Sequence, residues 1–300
     1  MAAGDQTTRF GCVQESDACI KSTGVTEPRL PTAFGGIVVR LMVVGLLLPV
    51  AALAAMGWLF FNAPAEDTTT GTVLPREPQL VATDSSGNGN HGVNQGSPVL
   101  GLPGHAGTSY SFDRLGSWVQ VPSHSSLNPG TDDFMFSAWV NFTVEPQPGE
   151  TYDIIRKGLA YTASGEFKVE IMPRGRVKCS AKDSDGHEAW VIDGEADVAD
   201  GSWHLIGCAR VGRTWSVFVG PTVTSKRTEL GSISNTFPLA IGSKYGQEDV
   251  PQGSVDEVKL VIAANTSSAG RLATRIKSLR SQAPTGWWRL DEVTRPNVPG

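Results

Sequence analysis

From about residue 80 the sequence breaks into short apolar or alternating runs, each soon closed by Gly, Asn, Asp or Pro. A soluble helix needs a longer uninterrupted stripe, so this punctuation predicts many short strands joined by tight turns. In "SWVQVP", Val119 and Val121 share one face while Trp118 and Gln120 share the other, because side chains alternate along a strand. "FMFSAWVNF", Phe134 to Phe142, is apolar on both faces and reads as a central strand. "TWSVFVG" follows "WHLIGCARVG" across Gly212-Arg213, which predicts a hairpin. The 34 glycines and 19 prolines, set against 18 % charged residues, fit the same turn-rich picture. The expected fold class is all-β, a two-sheet antiparallel sandwich over residues 80–262. One soluble helix is expected after it, "SAGRLATRIKSLRSQ" from Ser268 to Gln282, where Leu272, Ile276 and Leu279 form a single apolar stripe and Pro284 closes the run.

Upstream stands the uncharged run Leu41 to Phe61, as long as the roughly 20 residues that a bilayer-crossing helix requires. Lys21, Arg29 and Arg40 precede it, while Glu66, Asp67 and a single Arg76 follow, so the positive-inside rule keeps the N-terminus cytosolic. The chain therefore reads as a cytosolic tail (1–35), a transmembrane helix (36–61), a Pro/Thr/Gly linker (62–79), the sandwich (80–262) and a C-terminal helix and strand completing it (263–300). The expected location is the cell membrane, single-pass, with the C-terminal domain outside. The alternative is secretion after cleavage near Ala63-Pro64-Ala65, although secretory apolar cores are usually shorter, about 7–15 residues. A net charge of −5 lacks the electropositive footprint that phosphate backbones demand, so no nucleic-acid partner is expected.

Cys12 and Cys19 lie in the tail without a His or second Cys pair to complete a metal site, and read as reduced thiols. Cys179 and Cys208 fall on predicted strands outside the membrane, where disulfides persist. The two strands are expected to be neighbours in one sheet and the cysteines to be bonded, which would stabilise the domain by about 3 kcal/mol on the chain-entropy argument. The acidic cluster Asp193, Glu195, Asp197 and Asp200 lies between strands and reads as a solvated loop, and His204 has no nucleophile in a suitable setting. Asn141-Phe142-Thr143 matches a glycosylation sequon but sits in a predicted strand.

An ordered series of short motifs resembles the laminin-G-like jelly roll of the concanavalin A-like lectin/glucanase superfamily, in its bacterial membrane-anchored form. The series runs "DSSGNGNHG" from Asp84, "YSFDRLGSWVQVP", "FMFSAWVNF", "DIIRKG" from Asp153, "DGSWHLIGCARVG" from Asp200, "PLAIGSK" from Pro238 and "GSVDEVKLV" from Gly253 to Val261. Each alone is weak; their order is specific. The resemblance implies two antiparallel sheets packed face to face, with loops at one rim carrying whatever binds. It also implies a carboxylate-rich strand motif if the domain were a glucanase, and none is present.

The expected function is therefore a membrane-anchored, non-catalytic binding or adhesion module for a carbohydrate or cell-envelope polymer, with the bilayer engaged through Leu41 to Phe61. The alternatives are a carbohydrate-active hydrolase with unrecognised carboxylates and a structural protein-interaction module. Sugars stack on exposed aromatics, and Trp118, Tyr152, Tyr161, Trp190 and Tyr245 fall at predicted rim or loop positions, whereas Trp139, Trp203 and Trp215 read as core. Calcium is the one cofactor expected, on Asp84, Asp113 and Asp256, since relatives often carry the ion at a rim and it is bound by carboxylates and turn carbonyls. The competing reading gives Asp84 an Asx-turn role and Asp113 a strand-end cap.

One stretch is out of order. "GWWRLDE", Gly286 to Glu292, resembles the family's opening strand, yet it stands near the end of the sequence, and the residues before Asp84, "LPREPQLVAT", hold no such strand. The expectation is a permuted sandwich in which Trp287 to Asp291 pairs with strand 255–260 and covers an edge that would otherwise be prone to aggregation.

Overall fold

The computed structural model describes residues 80–263 and 272–291. The tail, the apolar run Leu41 to Phe61 and the linker lie outside the described residues. Among the described residues, no helix is long and apolar enough to cross a membrane.

Two antiparallel eight-stranded sheets form a sandwich, with strands numbered in chain order. The first sheet runs β1 (Val81–Ala82), β2 (Gly92–Gln95), β5 (Trp118–Val121), β14 (Leu239–Ile241), β7 (Tyr152–Lys157), β8 (Glu166–Met172), β9 (Arg176–Lys182), β10 (Glu188–Ile192). The second runs β13 (Thr222–Arg227), β12 (Thr214–Val219), β11 (His204–Val211), β6 (Asp133–Phe142), β15 (Gln252–Ala263), β4 (Thr108–Asp113), β3 (Val99–Pro103), with β16 (Gly286–Trp288) beside β15 as its eighth strand. Alternation sends Val119, Val121, Phe167, Val169 and Ile171 inward from one sheet, and Phe134, Phe136, Ile206, Trp215 and Val217 inward from the other. The predicted hairpin at Gly212 joins β11 and β12.

The central strand β6 is flanked by β11 and β15 and owes its two apolar faces to two cores. Phe134 and Phe136 point between the sheets, while Met135 joins Ala209, Phe218 and Val261 in a second cluster closed by Ile276 and Leu279. Those two residues form the buried stripe of α1 (Leu272–Arg280), within the span where the apolar spacing predicts a helix.

Four expectations need correction. The disulfide Cys179–Cys208 is present, but the strands are not neighbours in one sheet: β9 and β11 belong to opposite sheets, and the bond crosses the core with Cα atoms 5.7 Å apart. Both cysteines sit at inward positions of their alternating strands, which is what brings them together. Second, Trp139 and Trp203 are half-buried and Trp139 projects from the outer face, where the His105 ring stacks on it with centroids 3.4 Å apart. Trp215 alone of the three is core, its indole N–H donating to the Cys179 carbonyl at 3.1 Å. Third, the stretch before Asp84 does contain a strand, the two-residue β1 paired with β2. Fourth, Asp193 in the acidic loop is buried and accepts the backbone N–H of Val177 at 2.6 Å, so that loop is anchored at one point.

The chain's last described strand, β16 (Gly286–Trp288), pairs antiparallel with Val258–Leu260 of β15, as the permuted reading requires. Trp288 is fully buried and its indole N–H donates to the Asn90 carbonyl at 2.8 Å. Asp84 accepts the backbone N–H of Trp287 at 2.9 Å, and Ser85 donates to the Trp287 carbonyl at 2.7 Å. The "DSSGN" turn thus grips a strand whose Trp287 follows Asp84 by 203 residues in chain order.

Candidate functional site

On the outer face of the first sheet, register builds two rows of polar side chains. Trp190 lies opposite Ser180, Ser180 opposite Lys168, and Lys168 opposite Arg156. Beside it, Ile192 faces Lys178, Lys178 faces Glu170, and Glu170 faces Asp153. Each row follows from alternation, since the intervening Val177, Cys179, Phe167 and Val169 point into the core.

The charges in these rows are layered. Lys178 is paired with Glu170 at 2.7 Å, and its side chain is 25 % exposed against 1 % for the carboxylate. Lys168 contacts the same Glu170 and lies 3.9 Å from Asp153, which Arg156 approaches to 2.6 Å. Burial acts to raise the Glu170 carboxyl, but the Lys168 and Lys178 charges and hydrogen bonds outweigh it and hold the group below the usual carboxylate range. At Asp153 complete burial wins against Arg156 and Lys168, and its carboxyl is pushed up to about 6. Acids therefore form the floor and ammonium groups the surface. A glycosidase needs two carboxyl groups that reach opposite sides of a bound sugar, and Asp153 and Glu170 are closed off beneath lysines.

Above this floor stands the Trp190 indole, 54 % exposed on the edge strand β10. Lys226 lies 5.3 Å from its ring centroid. A hollow of about 230 Å³ extends from Trp190 over Lys168, Lys178 and Ser180, and a neighbouring one of about 220 Å³ is lined by Trp190, Met172, Lys178 and Ile192. Tyr161, 78 % exposed, follows Ala160 of the first hollow in the β7–β8 connection. An exposed indole beside unsaturated N–H donors can receive the apolar face of a ring and bond its hydroxyls.

The other three expected aromatics are packed into the fold. Trp118 is half-buried and meets Tyr245 edge-on at 5.7 Å. The Tyr245 hydroxyl is taken up by the chain, accepting from Gly158 N–H at 2.8 Å and donating to the Pro238 carbonyl at 3.2 Å, while burial pushes its pKa up. Tyr152 is buried against Phe142 at 5.8 Å. The structure thus leaves Trp190 and Tyr161 exposed, pairs Trp118 with Tyr245, and buries Tyr152 beside Phe142.

The expected calcium carboxylates are separately engaged. Asp84 accepts the N–H groups of Ser86, Asn90 and Trp287, each at 2.9 Å. Burial alone would raise it, yet these bonds hold it below the usual range. Asp113 accepts from Leu115 N–H at 3.0 Å. Asp256 is fully buried, accepts from Ala106 at 2.9 Å and Glu257 at 2.7 Å, and is raised by burial. Among the described residues the grouping of three possible ligands is instead Asp183, Asp185 and His187. There the Asp183 carboxylate closes a turn by accepting N–H groups from Asp185, His187 and Gly231.

Residues 113–268 match the family described as the concanavalin A-like lectin/glucanases superfamily. The chain belongs to that superfamily. No curated protein matches its sequence. Among solved structures, the botulinum neurotoxin serotype G binding domain is similar with a TM-score of 0.50 at 12 % identity, covering 65 % of this chain and 47 % of that one. The receptor binding domain of botulinum neurotoxin mosaic serotype C/D gives 0.50 at 14 %, covering 69 % and 49 %. Domain 4 of an extracellular arabinanase from Geobacillus stearothermophilus, in complex with arabinotriose, gives 0.48 at 15 %, covering 68 % and 99 %. This chain spans about half the length of the two neurotoxin domains, and likeness at such identity speaks to the fold.

Within this lectin/glucanase-type domain, aromatic residues alone did not mark the Trp190 face. Lys168, Glu170, Lys178 and Lys182 were visible as alternating charges in "EFKVE" and "RVKCSAK". Only strand register could show that those alternations share one surface with Trp190.

Proposed function

We propose that this superfamily domain is a non-catalytic binding or adhesion module, held outside the cell by the Leu41 to Phe61 anchor. Its ligand is a glycan or cell-envelope polymer, received on the outer face of the first sheet. The observation that carries this reading is the exposed Trp190 indole standing in register with lysine donors over a buried acidic floor. The core disulfide supports export, because such bonds persist in oxidising compartments.

The test is a glycan array probed with the full-length protein, with and without calcium, followed by titration of any hit. Trp190→Ala is expected to weaken binding by about tenfold or more, as an exposed aromatic anchor does when truncated, with thermal stability unchanged. An empty array together with specific capture of one envelope protein would favour an interaction module. Cleavage of a glycan hit by the purified protein would favour the hydrolase reading. Loss of binding on chelation would place calcium at the interface.

A further inference from the structure

One edge of the sandwich differs from the rest of its surface. β1 ends the first sheet and β3 ends the second, and the two lie at the same edge, since β10 packs beside β12 and β13 at the other. Among the described residues seven large apolar side chains are exposed, and four of them, Leu80, Val81, Val99 and Leu102, belong to β1, to β3 or to the residue before β1. Val99 is 48 % exposed. The opposite edge carries Glu188 on β10 and Lys226 and Arg227 on β13, the kind of charges that keep an edge in water. The β1/β3 edge has none of these. From Ser85 to Phe112, which forms β2, β3 and most of β4, the sequence holds no Asp, Glu, Lys or Arg. Arg289 and Asp291, which share a hollow with Val81, neutralise each other at 3.1 Å.

This edge is also closed to another strand. Pro98 precedes β3 and Pro103 ends it, each lacking an amide N–H, and the register breaks between Val99 and Leu102. A second copy or an extended peptide therefore finds no regular ladder to extend. An apolar, charge-free surface of this kind fits a partner that takes side chains alone, and the boundary of a lipid bilayer is such a partner, where charged groups would be costly. The layout of the chain brings that partner close. Only residues 62–79 separate Leu80 from the apolar run Leu41 to Phe61. A segment of that length spans at most about 65 Å when fully extended, so an anchored domain stays near the lipid and even a weak contact is populated.

We propose that the β1/β3 edge is a lipid-contact surface, with Leu80, Val81, Val99 and Leu102 seated at the headgroup boundary of the outer leaflet. This rests on the anchored reading of Leu41 to Phe61 and gives it an orientation. Sheet order places β10, with Trp190, at the far end of the first sheet from β1, so the ligand face stands away from the bilayer.

The test uses the full chain in phosphatidylcholine vesicles, with Cys12→Ser and Cys19→Ser so that one introduced cysteine, Leu102→Cys, carries an environment-sensitive fluorophore. Its emission is expected to lie to the blue of the same label at Lys226→Cys. A nitroxide near the lipid headgroup should quench it more than one at the chain end, because interfacial contacts reach only about 5–10 Å deep. Adding Val81→Ser and Val99→Ser should abolish the quenching with the melting temperature unchanged, since both side chains are exposed. Salt and anionic lipid should leave the quenching unaltered, as no charge takes part. Extraction of the protein by alkaline carbonate would overturn the anchor, and the lipid-contact edge with it. A protein that stays in the vesicles with an unquenched label at Leu102, or with equal quenching at Lys226, would overturn the lipid-contact edge alone. A blue-shifted label that lipid nitroxides cannot reach would assign the edge to a second copy instead, and quenching that requires anionic lipid would assign the contact to a basic surface.

Discussion

Ending the chain before Pro284 is expected to leave the domain insoluble, although it leaves every strand from β1 to β15 in place. The deletion takes away β16 and with it the backbone bonds along Val258–Leu260 of β15, in the middle of a sheet. It also empties the core volume of Trp288 and strands the Asn90 carbonyl that its indole N–H satisfies. The Asp84 carboxylate loses the Trp287 amide, so the "DSSGN" turn loosens too. An unpaired segment between apolar faces is a template for aggregation. A graded version is Trp288→Ala, for which large-to-small replacement of a fully buried aromatic costs about 3–5 kcal/mol. Urea unfolding followed by fluorescence reads this as a lower midpoint with an unchanged slope. A soluble truncated protein with an unaltered melting temperature would show that β16 is an ornament on a sandwich complete without it.

Much of this architecture was legible because strands and hairpins are local. Alternation alone gave β5 its inward valines, and the two-sided apolarity of Phe134 to Phe142 placed β6 in the middle of a sheet under a helix. Other features depend on which residues meet across the sandwich. Cys179 and Cys208 look like same-sheet neighbours because their strands are close in sequence, but the crossover between sheets falls in the segment between them. Trp139 was misplaced because its neighbours Ala138 and Val140 are core, and nothing local says that the β3–β4 turn carries His105 over its ring. The site suffers most from this. Aromatic content named Trp190, Tyr161, Trp118, Tyr152 and Tyr245 as equals, whereas the fold leaves two exposed, ties Tyr245 to backbone and buries Tyr152 against Phe142.

Breaking the Cys179–Cys208 bond is expected to produce the second large effect. It closes a sequence separation of 29 residues, for which the loss of unfolded-state entropy corresponds to about 3 kcal/mol. For a domain of this size that is a fall of about 10 °C in melting temperature. The double variant Cys179→Ala/Cys208→Ala and mild reduction of the parent should agree, and thiol titration of the unfolded chain should gain two groups on reduction. The cross-core position adds a sharper expectation than the loop length does. A link within one sheet would leave the two sheets free to part, and its loss would fray β9 and β10 locally. This bond ties β9 to β11 where Phe136, Val169 and Trp215 also meet, and the Trp215 indole bonds the Cys179 carbonyl. Reduction should therefore lower amide exchange protection in β9 and β11 together, on opposite sheets, and release the Trp215 indole N–H with them. Loss of protection confined to β9 and β10 would mean that the sheets are held by their side chains alone and that the disulfide secures only an edge.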